Sequence, residues 1–176
     1  AVRPWIVGNE EPAQVTDEEL EPVRLAMRCT MCGLCDEGCT VIDVDKEFLG
    51  PAALTKLYRT VSDPRDTETQ RRFQDAGERR GLWDCVHCFE ATEHCPKEVD
   101  PTDKIIALRN RAIKVGAGSP SIKAHYQSFA ASVKATGWLD ETRLAIDIEG
   151  GLTNIKGQLK QLPLALKALK RGKIPK

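Results

Sequence analysis

Cys29-Thr-Met-Cys32-Gly-Leu-Cys35-Asp-Glu-Gly-Cys39 sets four cysteines at C-x2-C-x2-C-x3-C spacing. A second run, Cys85-Val-His-Cys88-Phe-Glu-Ala91-Thr-Glu-His-Cys95-Pro96, repeats that spacing with alanine at the third cysteine position. Three thiolates two residues apart can wrap one face of a common centre, because a tight backbone turn swings their sulfurs inward. The same turn points peptide N–H groups at that centre. Gly33 allows close backbone approach without a Cβ, and Pro96 rigidifies the exit from the last cysteine. Structural zinc instead takes two separated C-x2-C pairs that close one tetrahedron. Here seven cysteines fall as four plus three. Disulfides fit poorly, since the count is odd and the spacing is not that of a staple framework.

In the bacterial two-cluster pattern the first three cysteines of a run hold one iron–sulfur cubane and the fourth reaches across to the other. On that pattern Cys29, Cys32, Cys35 and Cys95 are the ligands of cluster one, a 4Fe–4S centre. Cys39, Cys85 and Cys88 are the ligands of cluster two, with Ala91 where its fourth ligand would stand. A cubane corner without a strong ligand tends to lose its iron, which favours 3Fe–4S there. The competing reading is 4Fe–4S completed by Glu90, Glu93, His87 or a partner subunit. Either way the chemistry implied is electron transfer.

Composition is consistent with a helical protein. Charged residues make up 30% and aromatics 5%, and Lys+Arg and Asp+Glu are both 26, so net charge points to no nucleic-acid partner. No apolar stretch approaches the roughly 20 residues of a membrane span, and no signal-peptide pattern is present. Thiolate ligands imply assembly in a reducing compartment. The charges are placed unevenly. Six acids and no base lie between Glu10 and Glu21, and seven bases and no acid between Lys156 and Lys176. There is no nucleophile triad, phosphate loop or hydrolase metal motif.

Residues 1–15 read as an irregular arm, with Trp5 and Ile6 as anchors on a neighbouring domain or subunit. Thr16 and Glu19 form a capping box that opens a helix running to Met27. After Cys39 a loop is expected, then a helix from Pro51 to about Thr60 with Leu54, Leu57 and Tyr58 inward. A polar helix anchored by Phe73 is expected from about Asp66 to Arg80. Trp83 is either a hydrophobic lid on cluster two or plain core. Beyond Cys95, helices are expected from Pro101, from Ser121 to Ala135, from about Asp140, and from Leu152 to about Leu169 with a kink or break at Pro163. No segment alternates as a strand does, so the fold should be mainly α, with the cysteine runs as turns between helices.

The two cysteine runs, Phe48-Leu-Gly-Pro-Ala-Ala-Leu54 with Tyr58-Arg59, Ser62-Asp-Pro-Arg-Asp66 and Cys95-Pro-Lys-Glu-Val-Asp-Pro101 together resemble one family. It is the C-terminal, helical-ferredoxin half of the iron–sulfur subunit of succinate dehydrogenase/fumarate reductase. Arg3-Pro-Trp5 resembles the linker that precedes that half. The resemblance covers roughly residues 1–115 and implies an alpha-helical ferredoxin domain, taken as 1–118 with the arm; residues 119–176 read from their own pattern as a helical extension with a basic amphipathic tail. It implies a relay without active-site chemistry of its own, within a multisubunit complex peripheral to the cytoplasmic side of the cell membrane. Electrons would pass from a flavoprotein subunit through a 2Fe–2S ferredoxin domain, missing from this chain or on another chain, to cluster one. Cluster two would then serve a quinone or another acceptor beside a membrane-anchor subunit. Three departures from the family stand out. Cys88 and Ala91 exchange the usual order of non-cysteine and cysteine, Thr40 replaces proline, and the Val41-Ile-Asp-Val44 segment lacks the tryptophan that helps line the quinone site. These departures keep a heterodisulfide-reductase-like component as the alternative, its acceptor a disulfide-active subunit. A zinc-stabilised scaffold is the third reading.

His87 and His94 flank cluster cysteines and could tune them by hydrogen bonding. His125, beside Tyr126 and Phe129, reads as structural. In the tail, Leu159, Leu162, Leu166 and Leu169 recur at helical spacing among Lys156, Lys160, Lys167, Lys170 and Arg171, which suits a membrane surface or a partner subunit equally.

Overall fold

The computed structural model describes residue 8, residues 14–77 and residues 80–172. The Trp5–Ile6 arm lies outside them. No strand occurs among the described residues, so the expectation of a mainly helical fold holds. The chain divides into two compact units, the first ending at Gly118 and the second beginning at Ser119.

In the first unit α1 (Asp17–Arg24) opens on the expected capping box. Glu19 N–H donates to Thr16 Oγ1 at 3.3 Å, and Thr16 N–H donates to Glu19 Oε2 at 2.9 Å. The helix stops short of Met27, and Ala26–Arg28 tightens to a 3-10 turn that delivers the chain to Cys29. Two one-turn helices, α2 (Leu34–Glu37) and α3 (Thr40–Val44), flank Cys39. The loop expected after Cys39 is thus helical. Val41 and Ile42 pack on the core, and that burial outweighs the weak helix propensity of β-branched residues.

Helix α4 (Gly50–Val61) is the central element of this unit. Its Leu54, Tyr58 and Val61 meet Ile105, Leu108 and Ala112, the buried stripe of α7 (Pro101–Lys114). Phe73 of α5 (Thr69–Ala76) and Leu82 fill the space beside them, both fully buried. Each such side chain contributes about 2 kcal/mol by leaving water.

The polar helix expected over 66–80 is limited to Thr69–Ala76. Its start is delayed because two buried carboxylates hold residues 63–68 in turns. Asp63 accepts from Arg65 Nε and Nη2 at 2.7 and 2.6 Å, and Asp66 accepts from Thr69 Oγ1 and Arg72 Nε at 2.9 and 3.1 Å. A one-turn α6 (Glu90–Glu93) lies inside the second cysteine run. Gly118 ends the unit at φ 92°, where a Cβ would sit 3.0 Å from the Trp83 ring.

The second unit consists of α8 (Pro120–Thr136), α9 (Glu141–Ile148) and α10 (Ile155–Lys170). Side chains cap each start. Ser119 accepts from Ile122 N, Asp140 from Arg143 N and Asn154 from Gly157 N. Helix α8 packs along α9. Helix α10 continues through Pro163 without a break, and starts after Leu152 because Asn154 is its cap.

Candidate metal centres

The two cysteine runs fold as copies of one another. Met31 and His87, each just before a middle cysteine, both take left-handed backbone, with φ 59° and 55°. Gly33 and Phe89, just after it, do the same at 81° and 65°. Each then caps a single helical turn, α2 or α6. The hydrogen bonds repeat as well. Glu37 N–H donates to Gly33 O, and Glu93 N–H to Phe89 O, both at 3.1 Å. Cys39 N–H donates to Asp36 O and Cys95 N–H to Thr92 O, again both at 3.1 Å.

The repeat extends to the helices that follow. Asp36 Oδ1 accepts from Ala52 N–H at the start of α4, and Thr92 Oγ1 accepts from Thr102 N–H at the start of α7. In both copies a left-handed residue, Gly50 or Asp100, precedes the opening proline. Alternating left- and right-handed residues turn successive amides inward, as a nest for anions or cluster sulfur requires. A non-glycine residue at such φ costs about 1–2 kcal/mol, so Met31, His87 and Phe89 hold strain where the cysteines turn.

The fold sorts the seven cysteines into four and three. Cys29, Cys32, Cys35 and Cys95 line one cavity, together with Ala52, Thr55, Pro96 and Val99. Cys95 reaches it from the far run because α6 carries the chain across. Cys35 feels the charges of Cys29 and Cys95 as neighbours. Cys85 likewise feels Cys39 and Cys88, and the Thr40 hydroxyl faces Cys88 Sγ at 3.9 Å. Ala91, which copies Cys35 in the repeat, is buried.

Burial pushes the Cys35 thiol up to about 12, with Asp36 and the nearby thiols adding to the rise. Burial raises Cys85 too, against the pull of its hydrogen bond from His87 and of the Arg109 charge. Thiols held so high ionise only when cationic metal compensates, and loading such a site releases protons.

The surroundings fit iron and sulfide. The Thr55 hydroxyl is buried on the wall of the four-cysteine cavity and has no hydrogen-bond partner. Soft thiolates in a largely apolar pocket suit iron–sulfur chemistry. Among the described residues no three His, Cys, Asp or Glu side chains gather as closely as a single metal ion needs.

Three neighbours refine the picture. Arg109, on the buried face of α7, was not singled out from sequence, although a lone arginine among Ile105, Leu108 and Ala112 was the available signal. It donates to Leu82 O (2.9 Å), Cys85 O (2.6 Å) and His87 Nε2 (2.8 Å), and its guanidinium lies 5.9 Å from the Trp83 ring centre. His87 Nε2 is therefore the accepting nitrogen, and burial together with Arg109 holds its pKa below the usual imidazole value. His94 Nδ1 donates to Glu90 O at 2.8 Å. Glu90 and Glu93 are exposed.

Trp83 packs against the hydrophobic core as a half-buried side chain, and the exposed His125 meets the ring of its neighbour Tyr126 edge to face.

Known proteins point the same way. Residues 25–99 match a 4Fe-4S dicluster domain. The chain is 31% identical over 159 residues to the 8-methylmenaquinol:fumarate reductase iron-sulfur subunit of Wolinella succinogenes, covering 86% of this chain and 50% of that protein. It is 35% identical over 121 residues to the fumarate reductase iron-sulfur subunit of Haemophilus influenzae, covering 60% of this chain and 47% of that protein. The corresponding Escherichia coli subunit is 34% identical over 110 residues, covering 60% of this chain and 45% of that protein. The chain spans about half the length of these curated relatives. Over about half their length, the chain thus resembles the iron–sulfur subunits of fumarate reductases.

Proposed function

We propose that this chain relays electrons through two iron–sulfur centres in a complex of the succinate dehydrogenase/fumarate reductase type. The observation that carries the reading is the sorting of seven thiols into four and three on a duplicated turn, with Cys39 and Cys95 crossing between the copies. Cys29, Cys32, Cys35 and Cys95 hold a 4Fe–4S cluster. Cys39, Cys85 and Cys88 hold a 3Fe–4S cluster, since buried Ala91 offers no ligand. Bound there, the clusters supply one-electron transfer.

The protein's own part is positional and electrostatic. The nests at Met31–Gly33 and His87–Phe89 aim amides at the centres, and the core of α4 and α7 backs them on one side. Arg109 anchors the backbone at Cys85 and places a fixed positive charge near cluster two, which favours its more negative, reduced state. Because Arg109 occupies His87 Nε2, that ring does not stand as a ready fourth ligand. The connection between centres is one helical turn, so they sit close in sequence and in the fold.

The relatives' names carry fumarate reductase, and one carries a menaquinol, which supports the family relay over the heterodisulfide reading. The chain then works beside a flavoprotein subunit, a 2Fe–2S ferredoxin domain and a membrane-side subunit, with a quinone as the acceptor or donor. It lies peripherally on the cytoplasmic side of the membrane. No helix of the described residues is long and apolar enough to cross a bilayer.

Low-temperature EPR on anaerobically purified protein tests this reading. A signal in the oxidised state that vanishes on mild reduction, followed by a 4Fe–4S signal with dithionite, is expected. Colourless protein without iron overturns it.

A further inference from the structure

Helix α10 is turned the wrong way for an ordinary packed helix. Gly157, Gln158, Gln161, Ala165 and Ala168 are its buried or half-buried positions. Gln158 Nε2 donates to Ile146 O and Gly151 O, and Gln161 Nε2 to Glu149 Oε1. Its large aliphatics face out. Ile155, Leu159, Leu162, Leu166 and Leu169 are between 49% and 71% exposed. They recur at intervals of four and three, which a 3.6-residue period stacks into one stripe. Lys156, Lys160, Lys167 and Lys170 fall together along one side of that stripe, and no acid follows Glu149 to the chain end.

We infer that α10 is a lipid-surface helix that lays its leucine stripe into the headgroup region of an anionic membrane. The charge pattern selects this occupant. A row of cations with no acid among them, beside a narrow apolar stripe, matches a plane of phosphates above acyl chains, into which lysine stems can snorkel. The helix thereby brings the chain to the membrane face without a span. The inference does not depend on the cluster reading.

The test is flotation of the full, cluster-loaded chain with phosphatidylcholine/phosphatidylglycerol vesicles and with phosphatidylcholine vesicles. The chain should float with the anionic vesicles and be released by about 0.5 M salt. L162E/L166E should cut the partition at least tenfold. K160E/K167E should cut it about fivefold for each charge lost. Cluster absorbance should be unchanged in both, since these side chains touch neither centre. A wild-type chain that ignores anionic vesicles, or variants that bind as wild type does, overturn the proposal. So does a stripe needed only for association with another subunit of the complex.

A separate observation concerns Thr55. Helical threonines ordinarily bond back to the carbonyl four residues earlier, as Thr60 Oγ1 does to Lys56 O at 3.0 Å. Thr55, 2% exposed in the same helix, leaves its hydroxyl without a partner on the wall of the four-cysteine cavity. Resting on the reading that these cysteines hold cluster one, we propose that the Thr55 hydroxyl donates a hydrogen bond to that cluster or its thiolates and raises its reduction potential. A donor stabilises the more negative, reduced form.

EPR-monitored redox titration, with iron content measured on the same samples, tests this. Thr55→Val should lower the midpoint by up to a tenfold change in the reduction equilibrium, about 59 mV for one electron. Thr55→Ser should stay near wild type, and Thr55→Ala provides a second hydroxyl-free variant. An intact cluster with unchanged potential in Val and Ala overturns the role of Thr55. Absence of cluster one from the wild type overturns instead the assignment beneath it.

Discussion

The His94 ring fills the space that a side chain at Gly38 would need: a Cβ there would lie 2.5 Å from Nδ1. Gly38 follows α2 and His94 follows α6, so this contact is where the two cysteine runs close on each other. His94 cannot easily yield, because its Nδ1 is bonded to Glu90 O. Gly38→Ala should therefore cost about 2 kcal/mol and lower the thermal midpoint by several degrees. The contrast is Gly33→Ala. No protein atom lies within 4 Å of its Cβ, so the positive φ is what the protein itself sets against the change, and the loss should be about 1 kcal/mol. Thermal unfolding of the two loaded variants, side by side, checks the order; equal losses would contradict it.

The crossing of ligands makes an asymmetric prediction. Cys95→Ser, although it lies in the second run, should abolish the 4Fe–4S signal and spare the oxidised-state signal of cluster two. Cys39→Ser, in the first run, should do the reverse. Loss confined to the run that carries each mutation would refute the crossed assignment.

Ala91 copies Cys35 in the repeat and is buried. Restoring the thiol with Ala91→Cys should complete a cubane at cluster two. The oxidised-state EPR signal should disappear, and iron per chain should rise from about seven to about eight. An unchanged signal with the same iron count would show that position 91 does not face the centre.

Arg109 holds three acceptors at once, two carbonyls and the His87 ring. Arg109→Met leaves them buried and unpaired, at a cost of about 3 kcal/mol and roughly 10 °C in thermal midpoint. Arg109→Lys keeps the charge but not the planar fork, so its loss should be intermediate. In both variants the cluster-two signal should broaden or shift while the cluster-one signal stays, since only the Cys85 backbone is anchored by this side chain. A Met variant as stable as wild type would remove Arg109 from the account.

Much of this was determined by sequence, because the signals are local. The spacing of Cys29 to Cys39, its repeat at Cys85 to Cys95, the Thr16 capping box, Pro101 and Pro120 at helix starts and Gly137 at a helix end all act within a few residues of themselves. Local chemistry fixes local backbone, so the helical class and the turns were legible. Tertiary structure alone decided the rest. Residues 40–44 became helix because Val41 and Ile42 reach the core, and the helix after Pro64 shrank because Asp63 and Asp66 found their cations. The Arg109 clamp and the orphaned Thr55 hydroxyl arise from residues distant in sequence meeting where α4 packs on α7. Even the leucine stripe of α10 was visible as a period, but whether it faced in or out depended on which side α9 took. Periodicity says which residues share a face; only packing says what that face meets.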